Sequence, residues 1–171
     1  YDGENVENGI NGKVTPLGFV ALANPIRENA VKTFEYFKSQ GVAIKVISGD
    51  NPRTVSRIAI QAGIENAESF VDAATLDTED KIADAVNKYT VFGRVTPNQK
   101  KQLVRALQAK GHTVAMTGDG VNDILAMKDA DCSVAMASGS EAAAQAAQVG
   151  LLDSDFAHMP DVVYEGRRVV N

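Results

Sequence analysis

The sequence predicts a three-layer, Rossmann-like α/β fold, a parallel β-sheet with helices on both faces. Three features point to it. Short apolar runs rich in β-branched residues alternate with helical patterns along most of the 171 residues, and the joints between them are tight, as in parallel strands linked by helical crossovers. Two of the runs end in acidic turns of the same form, Ser48-Gly49-Asp50 and Thr117-Gly118-Asp119. Ligands of such sheets gather at the carboxyl ends of the strands, so both turns are expected at one rim, facing one site.

The elements follow in order. Residues 1–15 are rich in Asn and Gly and read as a loop or frayed tail. Residues 17–22, Leu-Gly-Phe-Val-Ala-Leu, look like a buried strand. Asn24-Pro25 is expected to end it and open a helix with Ile26, Ala30, Phe34 and Phe37 on one face and Gly41 as its stop. A strand over 42–47 leads into Ser48-Gly49-Asp50-Asn51-Pro52. The helix beginning there has Val55, Ile58, Ala59 and Ala62 as its inner stripe and Gly63 as its stop. A short strand at 69–71, a helix capped by Thr78 over 78–88 and a strand at 89–93 come next.

Pro97 opens a helix whose Leu103, Val104 and Leu107 face inward and which Gly111 terminates. The run from Thr113 ends in the second acidic turn, and a helical pattern of Ile124, Leu125 and Met127 follows at once. A strand at 132–137, an alanine-rich helix after Ser140, a short strand near 149–152 and a last helix from about Phe156 complete the chain.

Composition bounds the function. Hydrophobic content is 44% and charged content 23%, ordinary for a globular chain. The net charge of -5, with no basic cluster to offset it, argues against nucleic-acid or membrane-surface binding. The one cysteine, Cys132, rules out an internal disulfide framework and reads as a small core residue. His112 and His158 have no partner at ligand spacing. No apolar run approaches the ~18 residues a membrane span needs.

The chemistry concentrates in Thr117-Gly118-Asp119-Gly120-Val121-Asn122-Asp123. A bare Asp-Gly is a turn and a bare Asn-Asp a helix cap. In this string, however, Asp119 leaves the end of a strand and Asp123 enters the first helical turn beyond it. Two carboxylates converging beside freed backbone N–H groups suit a hard cation and a phosphate. Mg²⁺ fits, since it takes one or two protein carboxylates and keeps waters. Ser48 offers a hydroxyl at the mouth of another strand, in a turn that becomes a phosphate cradle when paired with the first. Lys100 is the better candidate for a phosphate counter-ion, although spacing alone does not separate it from Lys101. Among the remaining aspartates, Asp2, Asp72 and Asp77 lie in polar or irregular sequence, so no strand-end carboxylate is left over as a nucleophile.

Four motifs in one order carry a resemblance: Asn24-Pro25-Ile26-Arg27, Ser48-Gly49-Asp50, Arg94-Val95-Thr96-Pro97-Asn98-Gln99-Lys100, and Thr117 through Asp123. From about Leu17 onward the chain resembles the phosphorylation domain of cation-transporting P-type ATPases, of the haloacid-dehalogenase-like superfamily. The resemblance implies a pump in which ATP phosphorylates an aspartate and Mg²⁺-assisted hydrolysis of the aspartyl-phosphate drives transport. It implies that Asp119 coordinates Mg²⁺ and that Asp123 supports the metal site and the hydrolytic attack. Ser48 and Asn122 would contact phosphoryl oxygens, Lys100 would offset their charge, and Gly49 and Asp50 would line the phosphate and nucleotide approach. Arg27 and Arg94 would help hold ATP.

The resemblance also divides the chain. Residues 1–16 are expected to be a remnant of an inserted nucleotide-binding domain or linker, 17–155 the phosphorylation domain, and 156–171 a helix or stalk leading toward a membrane helix. The partners implied are the nucleotide-binding, actuator and transmembrane domains of the same pump, and the location is the cytoplasmic side of the plasma membrane. A first residue of Tyr1 fits an excised or processed piece.

Two departures qualify this. The hinge motif starts with Asn24 where the family has Asp, removing a charge. The Asp-Lys-Thr-Gly-Thr signature with the phosphorylated aspartate is absent, so the first catalytic strand of the sheet is expected to be missing. Either residues 17–22 fill its slot, another molecule lends a strand, or the piece folds poorly. Alternatives to the pump reading are a stand-alone phosphatase of the same superfamily and a non-catalytic Mg²⁺- or phosphate-binding regulatory module.

Overall fold

The computed structural model describes residues 13–20 and 25–170. Its elements run α1 (Ala30–Ser39), β1 (Val46–Ile47), α2 (Pro52–Gln61), β2 (Phe70–Asp72), α3 (Glu79–Lys88), β3 (Val91–Gly93), α4 (Pro97–Ala109), β4 (Ala115–Gly118), α5 (Ile124–Asp129), β5 (Cys132–Met136), α6 (Glu141–Ala146), β6 (Val149–Leu151) and α7 (Met159–Val170). The strands form two three-stranded sheets, ordered β1-β3-β2 and β4-β5-β6, and every pairing is parallel.

Helices cover both faces of the first sheet, as the alternation along β3 shows. Val91 packs with Val55 and Ala59 of α2, while its neighbour Phe92 packs with Ile82, Ala85 and Val86 of α3 and Leu103 of α4. Successive strand residues point to opposite faces, so α2 lies on one side and α3 and α4 on the other. The second sheet buries Met116 and Ala135 against Val104 of α4, Ala126 and Met127 of α5, and Ala143 of α6. Adjacent residues of α4, Leu103 and Val104, thus enter the cores of different sheets, and α4 ties the two together.

Local signals set most of the helix ends. Gly41, Gly63 and Gly111 follow their helices with φ of 72°, 78° and 87°, a conformation that costs glycine little. The Thr78 side chain caps α3 by accepting from the Lys81 N–H. Thr96 forms a full capping box with Gln99, and Pro97 stands in the first turn of α4. Beyond β6, Phe156 stacks near Phe34 and Phe37 of α1, with ring centroids 6.1 and 5.7 Å apart, and Arg167 of α7 donates to the Gln40 side chain at 2.8 Å.

Several expectations need correction. Residues 17–20 form no strand, and Leu17, Phe19 and Val20 are almost fully exposed; residues 21–24, the rest of that run together with Asn24, lie outside the described residues. An apolar run becomes a strand only when another strand takes its hydrogen bonds, and among the described residues none pairs with 17–20. Pro25 does not open a helix: α1 begins five residues later, leaving Ile26 outside it. The strand expected over 42–47 pairs only at Val46 and Ile47. Ile58 is half exposed, because the inner stripe of α2 runs through Val55, Ala59 and Ala62 and leaves Ile58 at its margin; Leu125 is likewise exposed at the edge of α5.

Candidate functional site

Both acidic turns leave the carboxyl ends of parallel strands, β1 and β4. Ser48 follows β1 directly, its N–H donating to the Phe92 carbonyl of β3 at 2.9 Å and its carbonyl accepting from the Val95 N–H at 3.0 Å. Its hydroxyl accepts from the Asp50 N–H at 3.1 Å, closing the turn. Asn51 then caps α2, accepting from the Arg53 N–H at 3.0 Å. The chain past Val95 turns into α4, and Lys100 lies in its first turns.

Lys100 reaches across to the second turn. Its Nζ donates to Asp123 Oδ1 at 2.6 Å, with the two side chains only 12% and 9% exposed. The other carboxylate oxygen, Oδ2, accepts from the Gly120 N–H at 3.3 Å. Gly118 makes room for this: a Cβ there would stand 2.5 Å from the Asp123 Cβ. Any side chain at Gly118 would therefore expel the carboxylate. Asp119 and Asn122, by contrast, are exposed at the rim. Ser48, Lys100 and Asp123 are thus joined through Val95 and α4, and Asp119 stands beside them on the same loop as Asp123.

Helix position also resolves what spacing could not. Lys101 turns away toward Asp129, 3.8 Å off, where Arg105 also pairs. Arg94 and Arg27 are not drawn into the cluster. The Arg94 guanidinium donates to Asp72 at 2.8 Å from a backbone with φ of 54°. Arg27 donates to the Ser154 carbonyl at 3.0 Å and lies 3.6 Å from Asp155. Gly49 and Asp50 are exposed on the first turn.

The donor set fits Mg²⁺, since Asp119 and Asp123 supply hard oxygens. Among the described residues no group of three His, Cys, Asp or Glu side chains gathers to hold a metal. A cavity of about 140 Å³ at the amino end of β1, away from both acidic turns, is lined by Phe34, Lys38, Lys45 and Glu65. Lys45 there has its amine pulled down by burial, and its Nζ donates to the Tyr89 carbonyl. Sequence reasoning missed the loop after β5, where the Ser140 N–H donates to the Asp119 carbonyl at 2.7 Å. Ser138-Gly139-Ser140 reads locally as a helix start, and nothing local announces a contact of Ser140 with Asp119, far back along the chain.

Fold and rim together define a Rossmann-like parallel α/β domain with an acidic loop site at the carboxyl ends of its strands. The model of the haloacid dehalogenase-like hydrolases matches residues 2–131, and the chain belongs to that family. It is 49% identical over 158 residues to a probable cation-transporting ATPase, exp7, of Streptococcus pneumoniae, covering 92% of this chain and 20% of that protein. It is 51% identical over 160 residues to the calcium-transporting ATPase CtpE of Mycobacterium bovis, covering 93% and 20%. A crystal structure of a zinc-transporting PIB-type ATPase in its E2.Pi state superposes with a TM-score of 0.66 at 25% identity, over 85% of this chain and 20% of that one. The chain thus spans about a fifth of the length of these relatives. Among the described residues no helix is long and apolar enough to cross a membrane.

Proposed function

We propose that this chain is the phosphorylation domain of an ATP-driven cation pump, in which an aspartyl-phosphate is formed from ATP and hydrolysed. The observation that carries the reading is the shielded Lys100–Asp123 pair beside an exposed Asp119, on the loop whose sequence bears the resemblance. The relatives, named as cation-transporting ATPases, support it. Residues 17–155 form the domain, 1–16 the end of an inserted nucleotide-binding domain or linker, and 156–171 a stalk toward the membrane. The phosphorylated aspartate comes from outside this chain, on a strand beside β1 or β4. The outer edges of both are free of a partner strand among the described residues. The nucleotide-binding, actuator and transmembrane domains of the same pump are the partners, and the domain works on the cytoplasmic side of the membrane.

Each residue has a task. Asp119 holds Mg²⁺, with Asp123 behind it, and the ion when bound neutralises the phosphoryl oxygens and orients the displacement. Lys100 holds the Asp123 carboxylate in place through their 2.6 Å contact and lends its charge to the phosphate. The Ser48 hydroxyl and the Asn122 amide donate to phosphoryl oxygens, with Gly49 and Asp50 lining the approach. Arg27 and Arg94 contact ATP only after leaving their present partners. In the full-length protein, Asp119→Asn is expected to cut Mg²⁺-dependent ATP hydrolysis about 100-fold or more, the scale of losing one preorganised charge-stabilising group. Hydrolysis at the wild-type rate would refute the assignment.

A further inference from the structure

The loop between β5 and α6 presses against the backbone of Asp119. A Cβ built on Gly139 would lie 2.2 Å from the Asp119 carbonyl oxygen and 2.8 Å from its Cα. Backbone atoms cannot swing aside as a side-chain tip can, so any residue but glycine displaces one loop or the other. Gly139 is not among the described glycines with positive φ, which are Gly41, Gly63 and Gly111. Its own backbone therefore tolerates alanine, and the demand for glycine comes from Asp119 alone. The next residue completes the contact, its N–H donating to the Asp119 carbonyl at 2.7 Å. Ser140 is itself anchored as the cap of α6, accepting from the Ala143 N–H, and the Ser138 N–H is held by the Ser154 hydroxyl at 2.6 Å.

The same device recurs at the other acidic turn. A Cβ on Gly93, at the end of β3, would lie 2.4 Å from the Pro52 Cα, and the following Arg94 N–H donates to the Asp50 carbonyl at 2.8 Å. In each case a glycine at the end of the neighbouring strand or just past it allows the close approach. The next N–H then bonds the carbonyl of the turn's aspartate. The repetition on two different strand pairs ties the arrangement to the acidic turns themselves.

We infer that Gly139 is a positioning residue, setting where the Asp119 carboxylate stands and hence how tightly the site holds Mg²⁺. The inference rests on the proposed role of Asp119 as a Mg²⁺ ligand. In the full-length protein, amide hydrogen exchange of residues 118–123 is followed through a Mg²⁺ titration for wild type, Gly139→Ala and Gly150→Ala. Gly150 has nothing within 4 Å of a built Cβ and serves as the control. Displacing a group that orients a metal ligand weakens affinity about 10- to 100-fold. Gly139→Ala should therefore raise the Mg²⁺ concentration giving half-protection by at least about tenfold, with Gly150→Ala unchanged. A Gly139→Ala midpoint equal to wild type overturns the inference. Asp119→Asn separates the two ideas: Mg²⁺ protection that survives it refutes the ligand role itself. Should Gly139→Ala fail to fold by circular dichroism, the unmodified protein decides. There Mg²⁺ must slow exchange of the Ser140 amide together with residues 118–123, and an unresponsive Ser140 amide overturns the inference.

Discussion

Lys100 is the residue on which stability and function meet. Its ammonium and the Asp123 carboxylate are both nearly withdrawn from water, and removing one partner of such a pair leaves a shielded, uncompensated charge costing about 3–5 kcal/mol. Lys100→Met is expected to lower unfolding stability on that scale, as read by urea denaturation. Adding Asp123→Asn removes the orphaned charge and should restore much of the loss while Mg²⁺-dependent hydrolysis stays abolished. A double variant that regains hydrolysis would show that the pair serves the fold alone. A different carboxylate shows how local such ties are. Asp131 is held below the usual carboxylate range by the Val114 N–H at 2.8 Å and then by Gln108, and it pins the start of β4 to β5 without touching the site.

At the scale of elements, α4 carries the most weight, because it places Lys100 and closes both cores. Leu103 is 1% exposed in the first core and Val104 1% in the second. Leu103→Ala is expected to cost about 2–5 kcal/mol in thermal or denaturant unfolding, and Leu107→Ala, only partly buried, distinctly less. What could be read in advance divides along physical lines. Glycine stops, the Thr78 cap and the Pro97 start were legible because a few adjacent residues determine them. Strand lengths were not, since pairing depends on distant partners: β1 shrinks to Val46 and Ile47, and the run at 17–20 has no neighbour to pair with among the described residues. The site divides in the same way. Asp119, Asp123 and Ser48 stand in contiguous motifs, whereas choosing Lys100 over Lys101 needed the rotation of α4, and Gly139 needed the fold.

At the scale of the whole molecule, the two sheets share α4 but, among the described residues, no strand joins β1 to β4. Parallel edges left open are sticky, and natural sheets cover or pair them. A strand supplied from elsewhere in a longer protein would pair that edge and bring a carboxylate to the strand ends that Ser48 and Asp119 follow. The central claim is that this chain holds the phosphate-handling half of the site and lacks the group that accepts the phosphoryl. Incubation of the 171-residue chain with labelled ATP and Mg²⁺, beside the full-length protein, tests it directly. The expected result is a hydroxylamine-sensitive label on the full-length protein and none on the chain. The same label on the chain alone would contradict the account, since one of its own carboxylates would then be the nucleophile.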